Sequence, residues 1–266
     1  MYVADRGRPK ASWQPPLSEG SSPVTGYHLV LTSEGMVVFT ADALPEARTY
    51  TFLGPLVPQA TYAVSVTAVS SVGSGPDATV SATMPLAALV AVPTPTVSGV
   101  AKVGAVLTAT AGTWSPTPFL TYQWLVGGAA VTGATSSTFV VPPTALGQTV
   151  TVRLTGTLSG FLTTSATSTP TVPVVAGTLS PTPTPTISGT VKVGYRLTAN
   201  PGTWGPAPVT LRYQWYRSGV AVSGATASTY LLSGADQGKA MTVRVTGSKL
   251  GYTSVVRTSA ATSRVV

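Results

Sequence analysis

His28 stands between Tyr27 and Leu29, and it is the single imidazole of a 266-residue chain. General acid–base catalysis needs such a group within hydrogen-bond reach of a partner. On strand alternation His28 points away from Tyr27 and Leu29, so an exposed strand residue is expected, with neither a catalytic dyad nor a metal site assembled around it. Five of the six carboxylates of the first third, Glu19, Glu34, Asp42, Glu46 and Asp77, read as turn or loop residues. Beyond them the only acid is Asp236, inside Gly234-Ala-Asp236-Gln-Gly238, where a turn role suffices. Glycoside hydrolysis by paired carboxylates is therefore unavailable to the last two thirds of the chain. Cysteine is absent, which excludes thiolate metal sites and disulfides. No cluster of oxygen ligands suggests calcium. Gly73-Ser-Gly75 and Gly127-Gly128 lack the Lys-Ser/Thr that follows a phosphate cradle. The expectation is a chain with no catalytic residues, no metal and no cofactor.

The chemistry that remains is contact chemistry. Residues 1–90 hold four bases and six acids, residues 91–176 hold Lys102 and Arg153 with no acid, and residues 177–266 hold nine bases against Asp236. The whole positive excess of +8 thus sits in the last third, where it favours an anionic neighbour. In Leu211-Arg-Tyr-Gln-Trp-Tyr-Arg217, alternation sets Tyr213, Trp215 and Arg217 on one face and Arg212, Gln214 and Tyr216 on the other. With Trp215 in the core, Arg212, Gln214 and Tyr216 are the candidate contacts for an anionic partner. Trp114 and Trp204 each follow Gly-Thr in a turn-like setting and are candidate glycan-stacking rings. One basic stripe is too little to predict a nucleic-acid partner, and no apolar run is long enough to span a membrane.

Period-two alternation runs through the segments that must carry these residues. Tyr62-Ala-Val-Ser-Val66, Val150-Thr-Val-Arg-Leu154 and Met241-Thr-Val-Arg-Val245 are half-buried strands, separated by Gly-rich turns. A repeat organises the last two thirds. Thr94-Pro-Thr-Val-Ser-Gly99 returns as Thr184-Pro-Thr-Ile-Ser-Gly189, Gly112-Thr-Trp114 as Gly202-Thr-Trp204, and Tyr122-Gln-Trp124 as Tyr213-Gln-Trp215. Gly160-Phe161 returns as Gly251-Tyr252. What recurs is aromatic, apolar, Gly and Thr, the material of packing rather than proton transfer. Residues 84–95 and 172–185 are rich in Thr-Pro and read as extended, semi-rigid linkers. The predicted fold is all-β: three tandem antiparallel β-sandwich domains in an elongated array, over 1–87, 92–173 and 182–266. Trp124 and Trp215 are its core anchors.

Two resemblances sharpen this. Trp13-Gln-Pro-Pro16, Val24-Thr-Gly-Tyr27, Leu56 with Tyr62, and Gly73-Ser-Gly-Pro76 resemble a fibronectin type III domain over about residues 8–85, with a shortened first strand. The family implies that Trp13 fills the core and that the Tyr62 hydroxyl bonds backbone. Either that strand is a stub, or the true start lies upstream, or another chain supplies the strand. The two repeats resemble the bacterial immunoglobulin-like repeats of actinobacterial surface proteins and of virion proteins of their tailed phages. That resemblance implies a non-enzymatic capsid decoration or tail surface protein. Its expected partners are a capsid or tail protein, engaged through the N-terminal module, and host cell-wall polysaccharide. Met1 is not followed by an apolar signal-peptide region. The expected location is the virion surface, the alternative a secreted or wall-attached adhesion array.

Overall fold

The computed structural model describes residues 2–4, 8–18, 20, 22–54 and 56–266; Glu19 lies outside them. The first sandwich is built from β1 (Tyr2–Ala4), β2 (Arg8–Ser12), β3 (Val24–Ser33), β4 (Met36–Ala43), β5 (Thr49–Thr51), β6 (Thr61–Ser70) and β7 (Gly73–Thr83). Its sheets run β1-β2-β5 and β4-β3-β6-β7. Alternation decides what is buried: Tyr27, Leu29 and Leu31 of β3 face Tyr62, Val64 and Val66 of β6 in the interior, with Phe52 and Ala11 from the opposite sheet. The Tyr62 hydroxyl accepts the Val57 N–H at 2.9 Å, which fixes the turn before β6.

The second sandwich holds β8 (Thr96–Ser98), β9 (Val106–Thr110), β10 (Phe119–Val126), β11 (Ala129–Ala130), β12 (Thr138–Val140), β13 (Val150–Thr157) and β14 (Thr164–Thr167). Its sheets are β12-β9-β8 and β11-β10-β13-β14. The third repeats the plan. After β15 (Gly177–Thr178) come β16 (Thr186–Ser188), β17 (Arg196–Asn200), β18 (Thr210–Arg217), β19 (Val220–Ala221), β20 (Thr229–Leu231), β21 (Met241–Ser248), β22 (Tyr252–Thr253) and β23 (Val255–Thr258). Its sheets are β16-β17-β20 and β19-β18-β21-β23. Trp124 and Trp215 are both 0% exposed. Their indole N–H groups donate to Ser136 O at 2.9 Å and Ala227 O at 3.0 Å. Each ring stacks on an aromatic of the opposite sheet, Phe139 at 5.2 Å and Tyr230 at 5.7 Å between centroids. A buried indole with its N–H satisfied adds area without an orphaned donor. The chain is thus a tandem of β-sandwich domains, as alternation predicted.

Packing gathers the chain into two compact units, Met1–Pro93 with Gly112–Thr121 and Leu154–Ala166, and Thr94–Ala111 with Tyr122–Arg153 and Thr167–Val266. Each unit contains one joint, and the two joints use the same parts. In the first unit, Ala87 forms a parallel bridge with Phe161, and its N–H donates to Gly160 O at 3.0 Å. A Cβ on Gly160 would lie 2.8 Å from Pro58 Cγ. In the second unit, β15 pairs in parallel with β22, Gly177 opposite Tyr252, and the Gly177 N–H donates to Gly251 O at 2.9 Å. A Cβ on Gly251 would lie 2.9 Å from Pro143 Cβ. The Thr-Pro segments are therefore not free spacers. Their apolar residues Met84, Val174 and Leu179 are buried, which ties the linkers to the sandwich ends.

Candidate functional site

The outer face of β18 presents Arg212, Gln214 and Tyr216, as the alternation requires. Register sets Arg212 opposite Thr246, Gln214 opposite Arg244, and Tyr216 opposite Thr242 on β21; Arg244 in turn faces Thr258 on β23. Arg212 and Arg244 are exposed. The Arg244 guanidinium carbon sits 4.8 Å from the Tyr216 ring centroid, a cation–π contact that holds the cation over the sheet. Gln214 is engaged differently from expectation. Its Nε2 donates to Trp215 O at 3.0 Å and Val222 O at 2.7 Å. Gln123 does the same with Trp124 O and Val131 O in the second sandwich. The recurrent Gln of Tyr-Gln-Trp is a backbone clip, and its amide donors are spent. The outward set becomes the exposed Arg212 and Arg244 with the half-buried Tyr216, backed by threonine hydroxyls. Reading β18 alone missed Arg244, because only the pairing of β18 with β21 brings it there.

The domain's one side-chain acid does not face this surface but is turned inside. Asp236 is 0% exposed and its Oδ1 accepts Arg217 Nε at 2.6 Å. Its Oδ2 accepts the Ser233 N–H at 2.7 Å, the Ser233 hydroxyl at 2.8 Å and the Tyr230 hydroxyl at 3.1 Å. The turn reading of Asp236 is thus incomplete: it caps a short 3-10 turn and is also the buried half of an ion pair. Burial works to raise its carboxyl pKa, but the Ser233 backbone and hydroxyl, Arg217 and Tyr230 outweigh it and hold the group below the ordinary carboxylate value. The same carboxylate holds Arg217 protonated. Neutralised there, Arg217 leaves the remaining bases of the domain unopposed.

Trp114 and Trp204 correct the glycan-stacking expectation. They are only 4% and 5% exposed. A Cβ on Gly156 would stand 2.8 Å from Trp114 Cζ3, and one on Gly247 2.5 Å from Trp204 Cζ3. Each ring fills the space that a glycine leaves at an inward position of β13 or β21. The signal was in the sequence: Leu154-Thr-Gly156 and Val245-Thr-Gly247 continue the buried alternation with a residue that has no side chain. A ring seated on that gap is unavailable to a sugar.

His28 is an outward strand residue, and it is the loop reading of Asp42 that is corrected. Asp42 lies directly opposite it on β4, not in a loop, and His28 Nδ1 and Asp42 Oδ1 are 2.6 Å apart. Thr67 faces His28 from β6 and gives its hydroxyl to Asp77, a strand residue on β7. The row Asp42, His28, Thr67 and Asp77 is a cross-strand polar ladder in which the hydroxyl points to a carboxylate rather than to the imidazole. Among the described residues, no three His, Asp or Glu side chains converge on a metal position. No helix among them is long and apolar enough to cross a membrane.

Residues 9–84 match the family model of the fibronectin type III domain. No curated protein sequence matches the chain. One similar solved structure is a Ca2+-stabilized adhesin that helps an Antarctic bacterium reach out and bind ice, at 15% identity and TM-score 0.31; the alignment covers 92% of this chain and 66% of that one, just under two thirds. Another is the ICAM-5 D1–D4 ectodomain fragment, at 15% identity and TM-score 0.36, covering 93% of this chain and 70% of that one.

Proposed function

We propose that this chain is a non-enzymatic display array on the surface of a tailed actinobacteriophage virion, as a capsid decoration or tail surface protein. The observation that carries the display reading is the repeated joint. A Gly-aromatic turn of each immunoglobulin-like sandwich seats on the linker ahead of it, through Phe161 and Ala87 in one unit and Tyr252 and Gly177 in the other. Such joints suit sandwiches that hold a surface at a set position rather than close around a substrate. The exposed Arg212 and Arg244, with the half-buried Tyr216, give the third sandwich a cationic, donor-rich face, which fits phosphate or carboxylate groups on a host wall polymer. A weak contact of this kind gains strength from many copies on one particle. The virion assignment rests on the resemblance of the two repeats to those of actinobacteriophage particles. The N-terminal sandwich is the anchor to a capsid or tail protein in this reading.

Mass spectrometry of purified particles tests it. The chain is expected in every preparation at a fixed ratio to the major shell or tail protein. Recovery solely from the wall or medium of uninfected cells would instead make it a secreted adhesion array.

A further inference from the structure

The two immunoglobulin-like sandwiches keep one outward row of residues and change the row beside it. Along β10 and β18 the outward positions differ: Thr121 and Leu125 of the second sandwich stand where Arg212 and Tyr216 stand in the third. Between them Gln123 and Gln214 agree, and both are backbone clips. Along β13 and β21 the outward positions are the same. Thr151, Arg153 and Thr155 of one sandwich return as Thr242, Arg244 and Thr246 of the other, with the same alternation of buried and outward residues. Inward residues of these strands recur because packing holds them, as Val152 and Val243 show at 0% exposure. An outward arginine is under no such constraint.

Ring stacking does not account for the recurrence. Arg244 lies over the Tyr216 ring, but the counterpart of Tyr216 in the second sandwich is Leu125, which offers Arg153 no ring face. Ion pairing does not account for it either. Residues 91–176 contain no Asp or Glu, so the second sandwich has no side-chain carboxylate of its own for Arg153. The other cation of that stretch, Lys102, is engaged by the linker, donating from Nζ to Thr178 Oγ1 at 2.6 Å. Arg153 is exposed, and Thr151 and Thr155 flank it on β13. Thr167 on the neighbouring β14 is the counterpart of Thr258, which faces Arg244. Each sandwich thus sets one guanidinium among hydroxyls on the outer face of its four-stranded sheet.

We propose that Arg153 is the centre of a second anion contact, and that the ligand is a polymer whose phosphate or carboxylate groups recur along its length, held by two sandwiches of one chain. The inference rests on the reading of the Arg212 and Arg244 face as a contact for an anionic wall polymer. It adds what that polymer must be: a chain charged at intervals rather than one with an anionic end alone. Arg153 and Arg244 belong to the same compact unit. Each guanidinium offers a planar fork to a phosphate or carboxylate, with threonine hydroxyls as neutral donors at its sides. The third sandwich, with Arg212 in addition, is the stronger contact. A short anion engages one sandwich at a time, whereas a long chain held at one is presented to the other at high effective concentration. Binding therefore tightens with polymer length.

Titration calorimetry of the full chain at low salt reads the length effect directly. The probes are long-chain polyphosphate against tripolyphosphate, and polygalacturonate against its trimer, with concentrations counted in anionic groups. The native chain should bind the long form roughly tenfold or more tightly than the short one. Arg153→Gln should remove most of that advantage and leave the short anion's affinity within about twofold. Arg153→Lys keeps the charge without the fork, should keep part of the advantage, and carries the comparison if urea unfolding shows Arg153→Gln to be unstable. Lys239→Gln removes another exposed cation, just ahead of β21, and should keep the advantage in full. Response to one polymer alone identifies the recurring group as phosphate or as carboxylate. Equal losses in Arg153→Gln and Lys239→Gln mean a diffuse field and overturn the second contact. Native length dependence in Arg153→Gln overturns it too; if Arg244→Gln still weakens binding, the wall contact of the third sandwich stands without it. Tighter binding to single-stranded DNA of matched charge would make nucleic acid the ligand and overturn the assignment. A chain that shows the Arg153 effect yet is absent from particles keeps this inference and sinks the display reading.

Discussion

Asp236 and its partners have counterparts one repeat earlier, and the counterparts are apolar. Arg217, Tyr230, Ser233 and Asp236 of the third sandwich correspond to Val126, Phe139, Pro142 and Ala145 of the second. One fold therefore tolerates either a buried ion pair or plain packing at the same place. Asp236→Ala leaves Arg217 and Tyr230 without their acceptor and should destabilise the third sandwich by about 1–3 kcal/mol in urea unfolding, the Arg217 side chain being 29% exposed and so partly rehydrated. Copying the whole set, Arg217→Val with Tyr230→Phe, Ser233→Pro and Asp236→Ala, should be neutral or stabilising, because no unpaired charge is left inside. The pH response follows from the sign of the shift. Asp236 titrates lower folded than unfolded, so its stabilisation is complete above the unfolded carboxylate value of about 4 and disappears as pH falls through the folded value. Denaturation of the third sandwich should become acid-sensitive below about pH 4 in the native chain and lose that component in the fourfold variant. At Trp124 and Trp215 the expectation is simpler. Truncation to Ala should cost about 3–5 kcal/mol each by the same unfolding assay, and retention of full stability would contradict their place in the core.

At the scale of elements, the seats of the Gly-aromatic turns bind domain to domain. The Tyr252 ring lies over Gly177, where a Cβ would stand 2.5 Å from two ring carbons and 2.8 Å from Val103 O. Gly104, at φ +82°, has no room for a side chain beneath the Tyr252 hydroxyl. Tyr252→Ala should speed hydrogen exchange of the Gly177 N–H roughly tenfold or more, and Gly177→Ala should act in the same direction by pushing the ring away. Unchanged protection in both would mean that the turn does not hold the linker. The strands themselves were legible, because Val and Thr in strict alternation leave one reading of Val150–Leu154 and Met241–Val245. The joints were not. Gly160-Phe161 and Gly251-Tyr252 stood out as repeats, yet nothing in their spacing says that the receiving surface is a linker. Leu179 in a Thr-Pro segment likewise gives no sign of burial until Trp204 is beside it. The same limit applied to the candidate face: alternation along β18 put Arg212 and Tyr216 outward, but Arg244 belongs to a strand thirty residues on and is joined to them only by register.

For the whole molecule, the decisive feature is the separation of charge from acid. The first ninety residues carry six of the seven carboxylates, and the last ninety carry nine of the fifteen bases. With Asp236 turned inward, the outward Arg212 and Arg244 face solvent unopposed. Binding of the full chain to purified actinobacterial wall polymer should weaken as salt rises from low to physiological strength, as screened contacts do. Arg212→Glu with Arg244→Glu should reduce it roughly tenfold or more, about 1.4 kcal/mol, while Arg217, paired with Asp236, plays no part. Equal binding by the charge-reversed variant would place the contact elsewhere. The central claim is that the array stands on a phage particle with its basic end outward. The most direct measurement is electron microscopy of intact particles labelled with gold-conjugated antibody to residues 182–266. Regular labelling of the capsid or tail surface is expected without prior disruption. Particles that stay bare when intact, and bare again after disruption, would contradict it.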